Sequence, residues 1–371
     1  MEVVGEHYSA AFTSTSGHWL HFFSASDCAV YLFFLMSGFV LTPSFEKTPH
    51  DLSLNMKKRI VRLGLPAAAA MLLSLIFFVA APDLAPRSAE VSHSAAMLEQ
   101  TRNPEQTTAG NYLADALGLT LLTGYQETSL FMPFVDALPR MQSALNPPIW
   151  TLHVELWGSA LVLALVWAGT RSKIFYALTI LGAAAFIGTN SLILFLVGHL
   201  CARLSRMNFC IDYGKKVPTQ VLAMLLVIGG LALCFGGSFR GLWLLLALLD
   251  HGVLHSLKMV SWPAELGAIM LFIGVLYSPL LHPLLNSPPL RWLGRLSFPV
   301  YLVHWPVMMV VGSAAFLWAA EPFGLDMAAS VALLVGLLVT LVVAELFERW
   351  CDQPVVTFGR NLGKNTAVPA T

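Results

Sequence analysis

The chain has 371 residues, of which 57% are hydrophobic and only 11% charged. Its mean hydropathy is +0.70, whereas a soluble domain devotes about a quarter of its residues to charge. That shortage excludes a disordered chain, a nucleic-acid binder with a basic face and almost any soluble enzyme, and it leaves a multi-span membrane protein.

A hydrocarbon core about 30 Å thick takes roughly 20 mostly apolar residues per helix, and only helices or closed barrels satisfy the backbone inside it. The apolar runs are too long for barrel strands. In chain order, a short stretch at 1–12 reads as the end of a first helix. Spans follow at 28–44, 61–81, 149–169, 174–189, 191–205, 217–236, 262–281, 297–319 and 326–349. The expected fold is all-α, a polytopic membrane helix bundle of about ten transmembrane helices within one domain over 1–362, with 363–371 as a disordered cytoplasmic tail. Residues 82–148, rich in Pro, Asn, Thr and Gln and poor in Lys and Arg, form one long polar excursion expected outside the membrane. A loop of that length is usually functional or ordered against the bundle. Segment 239–258 carries Asp250, His251 and His255, a poor composition for a span, and is expected at the outer interface.

The 21 basic and 21 acidic residues cancel, so only their distribution informs. Lys47, Lys57, Lys58, Arg59 and Arg62 lie between the second and third helices. Arg171 and Lys173 form a second group, and Arg203, Arg206, Lys215 and Lys216 a third. Positive charge marks the cytoplasmic side, so both termini are expected there. The five cysteines, Cys28, Cys201, Cys210, Cys234 and Cys351, include no CxxC pair and read as free thiols packed among helices.

An ionisable side chain inside a span is a site candidate by default. His7, beside Glu6, suits a general base or an interfacial histidine at a helix end. Arg59 and Arg62 share a helix face at i, i+3, where they suit either phosphate binding or anchoring of the helix end. In NPPIWTLHVELW, residues 146–157, Pro147 and Pro148 suit a helix start. Thr151 and Glu155 share one face there, and Trp150, His153 and Trp157 another. Glu155 inside the bilayer calls for a partner or a chemical role, and the tryptophans equally suit an aromatic belt. In SFPVYLVHWP, residues 297–306, Ser297, Tyr301 and His304 form one polar stripe expected to face the bundle interior, as a site or as an interhelical hydrogen-bond network. In ELFERWCDQP, residues 345–354, Glu345, Glu348 and Asp352 read as a solvated helix terminus, with Arg349 able to pair with Glu345.

Taken together, these segments resemble the acyltransferase-3 family of integral membrane proteins from Val3 to about Leu362. AVYLFFLMSGFVLT is similar to the family's second-helix pattern, with Phe33, Phe34, Ser37, Gly38 and Phe39 in place. RIVRLGLP supplies its R-x-x-R as Arg59 and Arg62. NPPIWTLHVELW is similar to its Trp-to-Glu segment, with Trp150 and Glu155. LGRLSFPVYLVHWPV matches its S-x-x-x-Y-L-x-H pattern as Ser297, Tyr301 and His304. The family's first helix has an Arg, ten residues, then a His. If that is His7, the Arg falls before Met1, so the natural chain is expected to begin upstream.

The resemblance implies transfer of an acyl group, most often acetyl, from acyl-CoA as cosubstrate, with no bound cofactor or metal. The acceptor would be a hydroxyl of a carbohydrate, such as lipopolysaccharide O-antigen or exopolysaccharide, or of another small molecule. His7 would be the general base, Glu155 would orient an imidazole, and His304 and Tyr301 would bind acceptor or steady the acyl carbonyl. Arg59 and Arg62 would hold the donor, with Ser37 and Trp150 as further substrate contacts. The expected setting is the lipid bilayer of a bacterial inner membrane. Two other classes fit about ten helices with buried His and Glu: a proton-coupled transporter, and an inactive membrane homologue.

Overall fold

The computed structural model describes residues 26–362 apart from 95–96, 99–108, 127, 131–137, 142–143, 188–190, 208–215 and 236–261. The expected helix at 1–12, His7, Cys210, segment 239–258 and the tail 363–371 therefore lie outside the described residues.

Among the described residues there is no strand, and the helices follow the apolar runs. They are α1 (Ser26–Phe45), α2 (Leu52–Ala80), α3 (Leu84–Ser92), α4 (Ala109–Ala114) continuing as a π-helical stretch at Asp115–Thr123, α5 (Thr151–Gly169), α6 (Lys173–Ile187) and α7 (Leu192–Leu204). After these come α8 (Val217–Cys234), α9 (Trp262–Tyr277), α10 (Leu281–Leu285), α11 (Pro288–Val307), α12 (Ser313–Phe323), α13 (Leu325–Phe347) and α14 (Gln353–Asn361). Pro147 and Pro148 open a 3-10 turn that leads into α5, where their missing N–H groups cost nothing. Gly324, at φ +79°, makes the sharp reversal between α12 and α13, a conformation open to glycine.

Among the described residues, six helical segments are long and apolar enough to cross a membrane: Asp27–Phe45, Leu52–Ala80, Pro147–Gly169, Val217–Cys234, Pro288–Phe323 and Leu325–Asn361. Lys173–Ala185, Leu192–Leu204 and Pro263–Tyr277 are apolar but shorter. The 13 residues of α7 cover about 20 Å, less than a full hydrocarbon core. These nine segments overlie the nine long spans read from the sequence. Along α8, Val217, Val221, Leu222, Leu225 and Ile228 are all exposed. An unbroken apolar face of that kind is stable only against lipid.

The chain packs as two units. The first comprises Lys57–Leu156 and the chain from Trp292 onward, within the described residues. Here α12 and α13 form a helical hairpin, and α3 docks on α12 through Ser88, whose hydroxyl donates to the Ser313 hydroxyl at 2.9 Å. The former polar excursion is thus partly helical and packed, with Ser88, Ala89, Asp115, Thr120 and Tyr125 buried. Tyr125 donates to Asp115 Oδ1 at 3.0 Å, and the Leu145 N–H donates to Oδ2 at 2.9 Å. Burial pushes the Asp115 carboxyl above the usual range, against the pull of those two donors, and burial beside Asp115 likewise pushes the Tyr125 phenol up.

The second unit comprises, within the described residues, Ser24–Met56 and Trp157–Arg291. Its α1 and α7 meet with almost nothing between their backbones: a Cβ on Gly38 would overlap the Phe195 carbonyl, and one on Gly198 the Leu35 carbonyl. Close crossings at glycine are how helices gain van der Waals contact where lipid removes the hydrophobic drive. A disulfide joins Cys28 at the start of α1 to Cys234 at the end of α8. This corrects the expectation that every cysteine is a free thiol: the helix pairing brings together two residues 206 apart, a relation no local spacing reveals. Cys201 and Cys351 are free.

Candidate functional site

The first unit holds most of the residues singled out by the sequence. Arg59 and Arg62 sit on α2, one turn apart, and each points its guanidinium at a carboxylate. Arg59 donates to Glu155 on α5, whose side chain is 3% exposed. Arg62 makes a two-pronged contact with Asp352, just beyond α13, while its guanidinium carbon lies 4.8 Å from the centre of the Phe298 ring. A planar fork matched to a carboxylate and stacked on an aromatic face is held in one orientation.

The chain of charge continues from Asp352. One helical turn earlier, buried Glu348 accepts from Arg295 at 3.0 Å and from Gln353 at 2.7 Å. Arg295 also reaches Glu345, at 3.0 and 3.1 Å, and Trp292 donates to Glu345 at 3.1 Å. The reading of Glu345, Glu348 and Asp352 as a solvated terminus is therefore corrected. Glu348 and Asp352 are buried because arginines from α11 and α2 meet them, and the hydrogen bonds of Glu345 go to Arg295 and Trp292.

A second polar cluster lies where the start of α5 meets α11. Tyr301 donates its hydroxyl proton to the Pro148 carbonyl, which can only accept, so Thr151 is the donor in its 2.7 Å contact with the Tyr301 oxygen. Pro306 has no N–H, so the Leu302 carbonyl four residues earlier loses its helical partner. Asn146 supplies the replacement, donating from Nδ2 at 2.8 Å. Its Oδ1 is buried without a hydrogen-bond partner among the described residues. The ladder widens into a π-helical stretch at Met308–Gly312 directly after this proline.

His304 is fully buried one turn from Tyr301, the ring centres 6.1 Å apart. Its Nδ1 lies 2.8 Å from the Tyr301 carbonyl. A carbonyl only accepts, so Nδ1 carries the hydrogen and Nε2 of the neutral ring is the proton-accepting nitrogen. His153 is used differently. Its Nε2 accepts from the Leu130 N–H at 3.1 Å and its Nδ1 donates to the Leu121 carbonyl at 3.3 Å, which fastens the 82–148 segment to α5.

The structure thus brings Arg59 to Glu155, and Tyr301 and His304 to the turn that carries Trp150, which is half-buried. Ser37 lies half-buried on α1 in the second unit. Ser297 departs from its expected inward stripe: it is exposed and its hydroxyl returns to the Gly294 carbonyl of its own helix at 2.8 Å. Among the described residues no group of three or more His, Cys, Asp or Glu is placed to hold a metal ion. Sequence reasoning missed the roles of Asp352, Glu348, Arg295 and Asn146. It also missed His199 of the second unit, fully buried between Thr42 and Tyr176 at 2.8 Å from each.

A family model described as an acyltransferase domain matches residues 1–349. No curated protein and no solved structure matches the chain.

Proposed function

The chain belongs to the acyltransferase-3 family and is a membrane acyltransferase; from that premise we propose that it moves an acyl group, acetyl in the first instance, from acyl-CoA to a hydroxyl of a carbohydrate or other small acceptor, with lipopolysaccharide O-antigen or exopolysaccharide the leading acceptors. The observation that carries this reading is the Arg59–Glu155 pair. An ion pair between two apolar helices costs more desolvation than it commonly returns, so its presence there speaks for chemistry rather than stability.

In the proposed reaction the acceptor oxygen bonds to the thioester carbonyl carbon and the carbon–sulfur bond breaks. The hydroxyl proton passes to an imidazole and from there to the departing thiolate, so atoms and charge balance. An alcohol near neutral pH is a poor nucleophile, which is why a base is needed. His7 fills that role in direct transfer. In the alternative route neutral His7 attacks the thioester carbonyl carbon, the carbon–sulfur bond breaks and the thiolate takes the imidazole proton. The acceptor oxygen then displaces the imidazole from the acyl-imidazole, and the hydroxyl proton goes to the freed imidazole. His304, buried one turn from Tyr301, has a part in binding the acceptor hydroxyl, and Tyr301, by turning its hydroxyl from the Pro148 carbonyl, steadies the acyl carbonyl. Arg59 and Arg62 meet the donor, Glu155 keeps Arg59 aimed and orients an imidazole, and Ser37 and Trp150 contribute substrate contacts. In the proposed topology the protein lies in a bacterial inner membrane with both termini cytoplasmic, so acyl-CoA arrives from the side marked by Lys47, Lys57 and Lys58.

Nuclear magnetic resonance of cell-envelope glycans with and without the gene tests the acceptor class. Loss of O-acetyl signals on deletion, and their return with the wild-type gene but not with Glu155→Gln, is the expected result. Unchanged acetylation across surface glycans and small exported products would refute the reading.

A further inference from the structure

In the first unit three arginines are locally neutralised, Arg59 by Glu155, Arg62 by Asp352 and Arg295 by Glu345 and Glu348. One end of the second unit is different. There, among the described residues, Arg203 and Arg206, at the end of α7, share one carboxylate, Glu46. Arg206 Nη1 is 2.6 Å from Glu46 Oε2, and Arg203 Nε is 3.9 Å from Oε1. Both side chains remain partly accessible, 40% and 47% exposed.

Both are also held in place. Arg203 lies over the Tyr176 ring, 4.6 Å from its centre, and packs beside Gly169, where a Cβ would stand 3.0 Å from Nη1. Arg206 donates from Nε to the Ala202 carbonyl at 2.7 Å. Next to them on the α5–α6 connection, Arg171 stacks on Trp167 at 4.8 Å. Anchoring charges that only set topology need no such fixing, since long stems reach the interface freely. With Lys47, Lys173 and Lys216 at the same helix ends, the described residues there carry six basic groups against Glu46 and Asp51.

We infer that Arg203 and Arg206, with Glu46 between them, form a binding site for phosphate groups, in which an incoming phosphate takes the position that Glu46 now holds between the two guanidinium forks. Fixed arginine forks that share one carboxylate among the described residues suit that geometry, and the surplus of positive charge draws the ligand to this end. Within the proposed function, on which this identification rests, the ligand is the nucleotide end of acyl-CoA; the headgroup of an anionic phospholipid carries the same chemistry.

The test uses the full chain in nanodiscs of phosphatidylcholine and measures binding of acetyl-CoA, of 3′,5′-ADP and of acetyl-pantetheine, which has no phosphate. Arg203→Gln and Arg206→Gln each weaken acetyl-CoA and 3′,5′-ADP by about tenfold, the scale of one lost charge-assisted contact. Glu46→Gln tightens both by about two- to fivefold, as expected when a competing surface carboxylate is removed. Acetyl-pantetheine is unaffected by all three. If the soluble probes do not respond but retention of phosphatidylglycerol, read by native mass spectrometry, falls in the arginine variants, the site stands with lipid as its ligand. No change in either arm, or equal weakening of acetyl-pantetheine, overturns it. Wild-type protein that forms an acyl ester while the variants bind normally sinks this site alone. Arginine-dependent binding of 3′,5′-ADP without any ester product sinks the acyl-transfer reading and leaves the site.

Discussion

Breaking the Arg59–Glu155 pair from either side has unequal costs, and replacing both partners together has almost none. At ordinary salt-bridge contact of about 3 Å and an effective dielectric near 20, the attraction is about 5.5 kcal/mol. Removing one partner of a buried pair costs about 3–5 kcal/mol because the other is left uncompensated. Glu155 is 3% exposed and Arg59 15%. Arg59→Met therefore strands the more sealed charge and is expected to lose about 4 kcal/mol. Glu155→Leu leaves a guanidinium whose long stem reaches partial solvent, and is expected to lose about 3 kcal/mol. The double variant replaces both charges with apolar groups and stays within about 1 kcal/mol of wild type. Reversible unfolding in nanodiscs or mild detergent gives the cycle, with a coupling of about 6 kcal/mol, well above the 0.5 kcal/mol scatter of independent sites. All three variants lose acyl transfer, the double one while folded. Additive losses would refute the structural reasoning, and a double variant with normal activity would refute the assignment of the pair to chemistry.

At the α1–α7 crossing, Gly198→Ala forces the helices apart and disturbs the adjacent Thr42–His199 bond, for a loss of about 3 kcal/mol or more. Gly182→Ala, in α6 with nothing near its added Cβ, gains about 0.5–1 kcal/mol; equal effects on thermal unfolding would contradict the close approach. Alkylation of the denatured, unreduced protein labels Cys201 and Cys351 and spares Cys28 and Cys234, and Cys28→Ser lowers stability by about 2–4 kcal/mol; full labelling of Cys28 and Cys234 would refute the pairing. Asp115 lies outside the candidate spans, and its carboxyl is held above the unfolded value. Its stabilising contribution is complete below the ordinary Asp value near 3.9 and is lost as pH rises through the raised one, so unfolding temperature falls across that window. Asp115→Asn flattens that slope, and a slope of opposite sign would show the carboxyl to be favoured as the ion.

The spans were legible because a lipid-facing helix leaves uninterrupted apolar runs, and α1, α5 and α8 lie within a few residues of the sequence reading. The start of α2 was not: its helix begins at Leu52, nine residues before the apolar run, because Lys and Arg stems let a helix continue into the interface. The Trp150-to-Glu155 and Tyr301-to-His304 segments announced themselves as polar groups in apolar surroundings. What hid Asp352 and Glu348 was distance, since Arg62 lies 290 residues from Asp352 and nothing local distinguishes a buried carboxylate from a solvated one near a helix end. One signal was available for Asn146: Pro306 necessarily frees the Leu302 carbonyl, so a buried donor had to come from somewhere. His199 was equally available, as the histidine within the apolar run 191–205.

The most direct trial of acyl transfer is to give membranes containing the protein acetyl-CoA labelled separately in its acetyl group and in its nucleotide. Acetyl label recovered in an alkali-labile ester, free coenzyme A released in equal amount, and loss of both with Glu155→Gln and with His304→Ala is the predicted result. Acetyl-CoA or its acetyl group moving across the membrane with no ester formed would show a carrier instead, and ester formation undiminished in both variants would take the reaction away from these residues.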